Sequence, residues 1–358
     1  MSLLLFLVFS LASLFLSKDK TEIVFAGDAM QHQAQIDAAK ISNNAYSYNG
    51  CFSAIESYIK DADYAVVNFE TTLGGAPYSG YPMFCAPDSY SQALADVGFD
   101  LFLTANNHCL DRRDKGIRRT LDILDQQNIA HVGTYRNKAD RDKSMPFIKD
   151  INGIKIAFLN YTYGTNGIKI QKDVVVDCID KAIIKKDIEN ARSAGAEVLC
   201  VAVHWGVEYV LLPNKTQKEL ADFLVGLGVD LIIGGHPHVI QPMEMRWSKR
   251  FNKKVLLVYS LGNFISNMKT SDTRGGAMVK VKLMRDEKGN TIVDSASYRL
   301  IFTLRPDKNS SNFKIIPVED CVNSEQKRNC DIFVKNAENI FNKFNIDVFR
   351  DKTPINLN

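Results

Sequence analysis

Six short clusters carry the side chains able to bind metals or move protons. They are Gly27-Asp28 with His32, Asn68-Phe69-Glu70, Asn106-Asn107-His108 with Asp111, His204-Trp205-Gly206 with Glu208 and Tyr209, Gly235-His236-Pro237-His238, and Ser260-Leu261-Gly262-Asn263-Phe264. Five of the chain's six histidines fall within them. Imidazoles and carboxylates together make a nitrogen and oxygen ligand set that suits Mn, Zn or Fe. A pair of divalent ions ~3.5–4 Å apart needs a shared anion and further ligands for each ion. Asp28 or Glu70 can be the shared anion, with His204, His236, His238 and Asn107 in the terminal positions. His236 and His238 flank Pro237, which stiffens the turn. On an extended segment that spacing sends the two rings to opposite sides, one for each ion, or one for an ion and one for substrate.

The chemistry such a set performs is hydrolysis. Water held between two cations becomes hydroxide near neutral pH and attacks phosphorus in line. The leaving oxygen then needs a proton, and His108 is the candidate general acid or electrostatic clamp, with Asp111 orienting its ring. His32, Asn68, Glu208, Tyr209 and Asn263 are further candidates for contact with metal or substrate. Each cluster has an ordinary explanation taken alone. Asp28 can be a helix N-cap, Glu70 half of a surface ion pair, His204 a histidine packed beside Trp205, and Gly262-Asn263 a turn. Those explanations would have to hold for every cluster together. His131 lies outside all of them and reads as a surface or strand residue.

The elements that must position these residues are legible as short apolar runs: EIVFAG, DYAVVNFE, FDLFLTAN, IKIAFLNYT, VLCVAVHWG, VDLIIGG and VLLVYSLGN. They alternate with polar stretches at helical spacing, such as Ser91 to Gly98 and Thr216 to Gly228, which end in glycine. This pattern predicts an α/β core with strands buried on both faces. Nearly every run ends in His, Asp, Glu or Asn, so the reactive groups gather at the carboxyl ends of strands, where open α/β sheets place their ligands. After Arg274 the pattern becomes an antiparallel pair around Lys288-Gly289-Asn290. An amphipathic helix is predicted from Ser324 to Phe344, with Ile332, Phe333, Ala337, Ile340, Phe341 and Phe344 as its apolar residues.

The chain has 358 residues and a formal charge of only +3, too little for bulk electrostatics to hold nucleic acid. Leu3 to Leu16 carries no charge and is followed by Lys18, Asp19 and Lys20. As a helix it would span roughly 21 Å at about 1.5 Å per residue, short of a ~30 Å hydrocarbon core, so it reads as a signal peptide or N-terminal membrane anchor. The seven cysteines include no CxxC spacing, which excludes a zinc ribbon. Scattered thiols are expected, with Cys321 and Cys330 the one pair able to join across a short loop in an oxidising compartment. The expected organisation is a 1–20 export or anchor segment, a 21–305 catalytic-type domain, and a 306–358 C-terminal extension whose helix packs on that domain.

Gly27-Asp28-Ala29-Met30, Asn68-Phe69-Glu70, Asn106-Asn107-His108, His204-Trp205-Gly206 with Glu208-Tyr209, Gly234 to Gln241 (GGHPHVIQ) and Ser260 to Phe264 occur in the order shown by the CapA or poly-γ-glutamate biosynthesis family of the calcineurin-like metallophosphatases, and the chain resembles that family over about residues 21 to 305. The resemblance implies a four-layer αββα sandwich of two mixed β-sheets and a site binding two divalent ions. It places Asp28 at the first-motif Asp, Asn68 or Glu70 at the usual bridging Asp, Asn107 and His108 at the third motif, His204 at the fourth, and His236 with His238 at the fifth. The chain departs from the superfamily where Asp-x-His is expected, since His32 follows Asp28 by four residues, and where Glu70 stands for Asp. The resemblance implies an exported phosphoesterase-like hydrolase in surface-polymer synthesis, acting on an anionic or phosphorylated small molecule or polymer. Two alternatives remain: a non-catalytic subunit that binds polymer or a membrane synthase, and a metal-dependent γ-glutamyl amidase or peptidase.

Overall fold

The computed structural model describes residues 20–171, 173–307, 310–323 and 326–355. The expected 1–20 export or anchor segment therefore lies, but for Lys20, outside the described residues. Within the strand Lys20–Ala29, Ile23 and Phe25 share one core with Phe158, Cys200, Ile233 and Val258, whereas Val24 and Ala26 share another with Ile59, Tyr90 and Leu94. Side chains alternate along a strand, so one buried on both faces must serve two cores. The same holds in the second sheet, where Leu199, Val201 and Val203 pack outward on Ile184, Ile188, Leu220 and Leu224. The result is the expected αββα sandwich, with one core between the sheets and one under the helices on each side.

Across the first sheet the strands run Lys314–Pro317, Thr291–Leu304, Gly275–Arg285, Lys20–Ala29, Tyr64–Phe69, Leu101–Leu103 and Ala130–Val132. Asn263–Ile265 also pairs with Lys20–Ala29, and Val348–Arg350 with Thr291–Leu304. The second sheet runs Ile240–Ser248, Lys253–Leu261, Leu231–Gly235, Val198–His204, Ile154–Thr162 and Phe147–Ile151. In the second sheet the central strands are parallel and both edge strands antiparallel, whereas in the first the strands from Lys20–Ala29 to Ala130–Val132 are parallel and Gly275–Arg285, Thr291–Leu304 and Lys314–Pro317 pair antiparallel. All the parallel strands therefore point their carboxyl ends to one edge. The antiparallel pair after Arg274 forms as expected, Arg285 facing Thr291 around a turn with Gly289 at φ +79°.

The C-terminal helix spans Lys327–Phe344 and buries Phe333, Ala337, Ile340 and Phe341 in the core between the sheets. Burying each phenylalanine contributes roughly 1.5–3 kcal/mol. Ile332 and Phe344, expected on that face, are exposed instead. The helix is locked at its end by Asn345, whose Oδ1 accepts from the Met243 N–H at 2.8 Å. The cysteines form no disulfide; Cys321 and Cys330 are buried neighbours whose thiols hydrogen-bond. His131 sits on the strand Ala130–Val132 and pairs with Asp125 at 3.0 Å. Among the described residues no helix is long and apolar enough to cross a membrane.

Candidate metal centre

Strand register brings the predicted clusters together. Asp28 lies beside Asn263 on one neighbouring strand and Asn68 on another, while His204 lies beside Gly235. Two glycines make the approach possible. A Cβ on Gly27 would stand 2.0 Å from the Gly262 carbonyl oxygen, and one on Gly235 would stand 2.8 Å from Asp28 Oδ1. Any side chain at Gly235 would push into the carboxylate that the site is built around.

Asp28 is fully buried. Its Oδ1 accepts from Asn68 Nδ2 at 2.7 Å, its Oδ2 accepts from the His236 N–H at 3.3 Å, and that same oxygen lies 3.2 Å from His238 Nδ1. Asn263 Oδ1 lies 3.0 Å from His238 Nδ1, and its amide donates to Thr273 O at 2.8 Å, so Asn263 sets the pose of the histidine. Glu70 Oε1 is 3.7 Å from His204 Nε2 and 3.9 Å from His238 Nε2. His204 Nε2 lies 2.9 Å from Asn107 Oδ1. His108 Nδ1 lies 2.7 Å from Asp111 Oδ2, which also accepts from the Phe84 N–H at 2.6 Å. One ligand atom each from Asp28, Glu70 and His238 lie within 4.8 Å of one another, and so do those from Glu208, His236 and His238.

Burial governs the charges. Burial pulls the Asp28 carboxyl upward, but the His238 hydrogen bond and charge outweigh it and hold the group at about 2. Glu70 goes the other way: burial, then the charges of Asp28, Glu208 and Asp111, push it well above the usual range. Burial, aided by neighbouring imidazoles, holds His204 well below its ordinary value and His236 at about 4. Uncharged imidazoles are the form that ligates metal. Glu70 Oε1 and His236 Nδ1 are buried without a hydrogen-bond partner. Leaving such an atom unsatisfied costs about 1–3 kcal/mol, and a cation removes that cost. The residues therefore fit a metal centre.

The histidine pair differs from the extended segment expected for it. His236 has φ +97° and His238 φ +57°, so the chain turns twice and brings the two rings together, with centroids 6.0 Å apart and one nitrogen of each in the group with Glu208. His238 is common to the two ligand groups. His32 belongs to neither group. Its Nδ1 accepts from the Asn267 N–H at 3.3 Å and lies 3.2 Å from Gln35 Oε1, which places it on the cleft wall. Tyr209 is on the same wall, 55% exposed. Two site residues escaped the sequence reading. Tyr163 lies against His236 with ring centroids 4.5 Å apart, and Asn166 Oδ1 accepts from Asn107 Nδ2 at 3.2 Å. Both follow the run IKIAFLNYT, which like VLLVYSLGN ends without a histidine or acid. Its position among the other strand ends was the available signal.

A four-layer sandwich with this ligand set at its strand-end edge defines a calcineurin-like metallophosphatase fold. A solved structure of Haemophilus influenzae NAD nucleotidase shares it with a TM-score of 0.50 at 13% identity, over 93% of this chain and 64% of that one. Residues 22–268 match the model of the bacterial capsule synthesis protein family PGA_cap, and the chain belongs to that family. It is 30% identical over 281 residues to the PGA biosynthesis protein CapA of Bacillus subtilis, covering 76% of this chain and 70% of that protein. It is 27% identical over 295 residues to the capsule biosynthesis protein CapA of Bacillus anthracis, covering 77% and 66%. The chain thus spans about two thirds of the length of these relatives.

Proposed function

We propose that the chain is a metal-dependent phosphoesterase acting outside the cytoplasm in the synthesis of a capsule, poly-γ-glutamate or related surface polymer. The observation that carries the enzymatic part is the pair of buried, unpartnered ligand atoms, Glu70 Oε1 and His236 Nδ1, among imidazoles that burial keeps uncharged. The polymer and the location rest on the family and on the apolar run Leu3 to Leu16. An anionic or phosphorylated substrate and a membrane synthase as neighbour follow from the same reading.

Asp28, Glu70, Glu208, His236 and His238 would hold the divalent ions, with His204 and Asn107 beside them and His238 serving one ion only, since a neutral ring has one free lone pair; the donors suit Mn, Zn or Fe. Bound metal supplies Lewis acidity toward a phosphoryl oxygen and acidifies water. The protein's own part is positional. Asn68 and the His236 N–H fix the Asp28 carboxylate, and Asn263 fixes His238. His108 is on the cleft wall with Nδ1 tied to Asp111, which leaves Nε2 to hand a proton to the departing oxygen. The purified chain with Mn²⁺ should hydrolyse a chromogenic phosphoester, and His236→Ala and Asn107→Ala should abolish this. Turnover indifferent to metal and to both substitutions would remove the enzyme.

A further inference from the structure

The cleft over the metal centre has a volume of about 640 Å³. That is room for a drug-sized ligand and far more than a phosphoryl group occupies. Away from the cluster its wall becomes aromatic. Tyr81 and Tyr209 stand at the rim, 75% and 55% exposed, on loops that leave opposite sheets. Tyr209 has φ +66°, a backbone region that penalises a residue with a β-carbon, and its N–H donates to Pro237 O at 2.8 Å. Pro237 sits between the two site histidines, so the loop carrying this ring and the imidazoles are one unit. The Tyr209 ring centroid is 6.2 Å from that of His238.

Tyr81 is tied to the other side of the chemistry. Its ring meets Phe84 edge-on at 6.3 Å, and Phe84 meets His108 edge-on at 4.5 Å. The Tyr81 and Tyr209 rings line the same cleft. Each ring packs along one edge and leaves most of its surface open to the cleft.

We propose that Tyr81 and Tyr209 form a subsite for a flat aromatic or conjugated group carried on the leaving oxygen of a phosphorylated ligand. This rests on the phosphoesterase reading. Tyrosine suits the task because it offers a broad rigid face at a low cost in rotamer entropy and stacks or packs edge-on against another π-system.

Benzylphosphonate and methylphosphonate share an anionic head and have no cleavable ester, so calorimetry on the full chain loaded with Mn²⁺ separates the two ideas. Benzylphosphonate should bind about three- to tenfold more tightly than methylphosphonate. Tyr81→Ala and Tyr209→Ala should each remove most of that preference, and Tyr81→Ala should leave methylphosphonate affinity unchanged, which also shows that this variant is folded. Tyr209→Phe should keep it. Equal affinity of the wild type for the two phosphonates, or a preference that survives in the double alanine variant, overturns the subsite. If neither phosphonate binds the loaded protein, the phosphoesterase reading falls and the subsite with it.

Discussion

Arg141 reaches between two buried carboxylates, 2.5 Å from Asp177 and 2.6 Å from Asp187, and the Tyr135 and Tyr161 hydroxyls donate to those same two residues at 3.2 and 2.8 Å. At the strand-end site the buried carboxylates Asp28 and Glu70 also lie among polar neighbours, yet Glu70 Oε1 has no partner, nor has His236 Nδ1. His236 and His238 hold left-handed backbone besides, whereas none of the five residues of the Arg141 network does. Buried charge is thus not in itself a mark of function. Charge that the fold completes is architecture, and charge left open on a strained backbone awaits a ligand.

The comparison breaks if the Arg141 network proves dispensable. Arg141→Met leaves two carboxylates buried against each other, and removing one partner of such a group costs about 3–5 kcal/mol. Urea unfolding should show that loss, while metal content per folded molecule stays unchanged. His238→Ala should do the reverse. Elemental analysis should find the metal gone, and phosphoester turnover should fall at least about a hundredfold. A variant that keeps metal and rate would show that the open site is merely ill-packed. Asp111→Asn should have a smaller effect, a roughly ten- to hundredfold loss of rate with metal retained, because it loosens the ring of His108 without touching a ligand. Metal loss in that variant would place Asp111 in the ion-binding shell.

How far this contrast could be read from the chain depends on the residue. Asp28, Glu70, His204 and the His236/His238 pair were visible because each is a chemically costly residue placed where an apolar run ends. The fold was visible for the same reason, since runs such as VLCVAVHWG have no polar face and must lie between two layers. Ring direction was not visible. The His236 backbone turns because its N–H meets Asp28 Oδ2 across 208 residues of sequence, and i, i+2 spacing carries no trace of so distant a contact. Tyr81, Tyr163 and Asn166 were missed because tyrosine and asparagine are ordinary loop residues until a neighbour gives them work. Ile332 and Phe344 show the opposite error: helical spacing made the apolar stripe wider than the core it meets.

The smallest effect is a slope, to which Asp177 and Asp28 contribute with opposite signs. Burial holds the Asp177 carboxyl at about 6 against an ordinary 3.8, with Asp187 adding to the push and Arg141 opposing it. The folded chain therefore binds this proton more tightly than the unfolded chain does. Its stability should fall as pH climbs from about 4 to 6 and then level, at no more than about 1.4 kcal/mol per pH unit for one proton. Asp28, held at about 2, contributes stability that is present above 3.8 and lost as pH falls through about 2. Urea midpoints of the metal-free protein at pH 4, 5 and 6 isolate the first window from the second. Asp177→Asn should remove this one proton's share of the slope whatever its overall cost in stability, with Glu70 and His236 contributing alike in both proteins. An unchanged slope would show that Asp177 does not hold this proton.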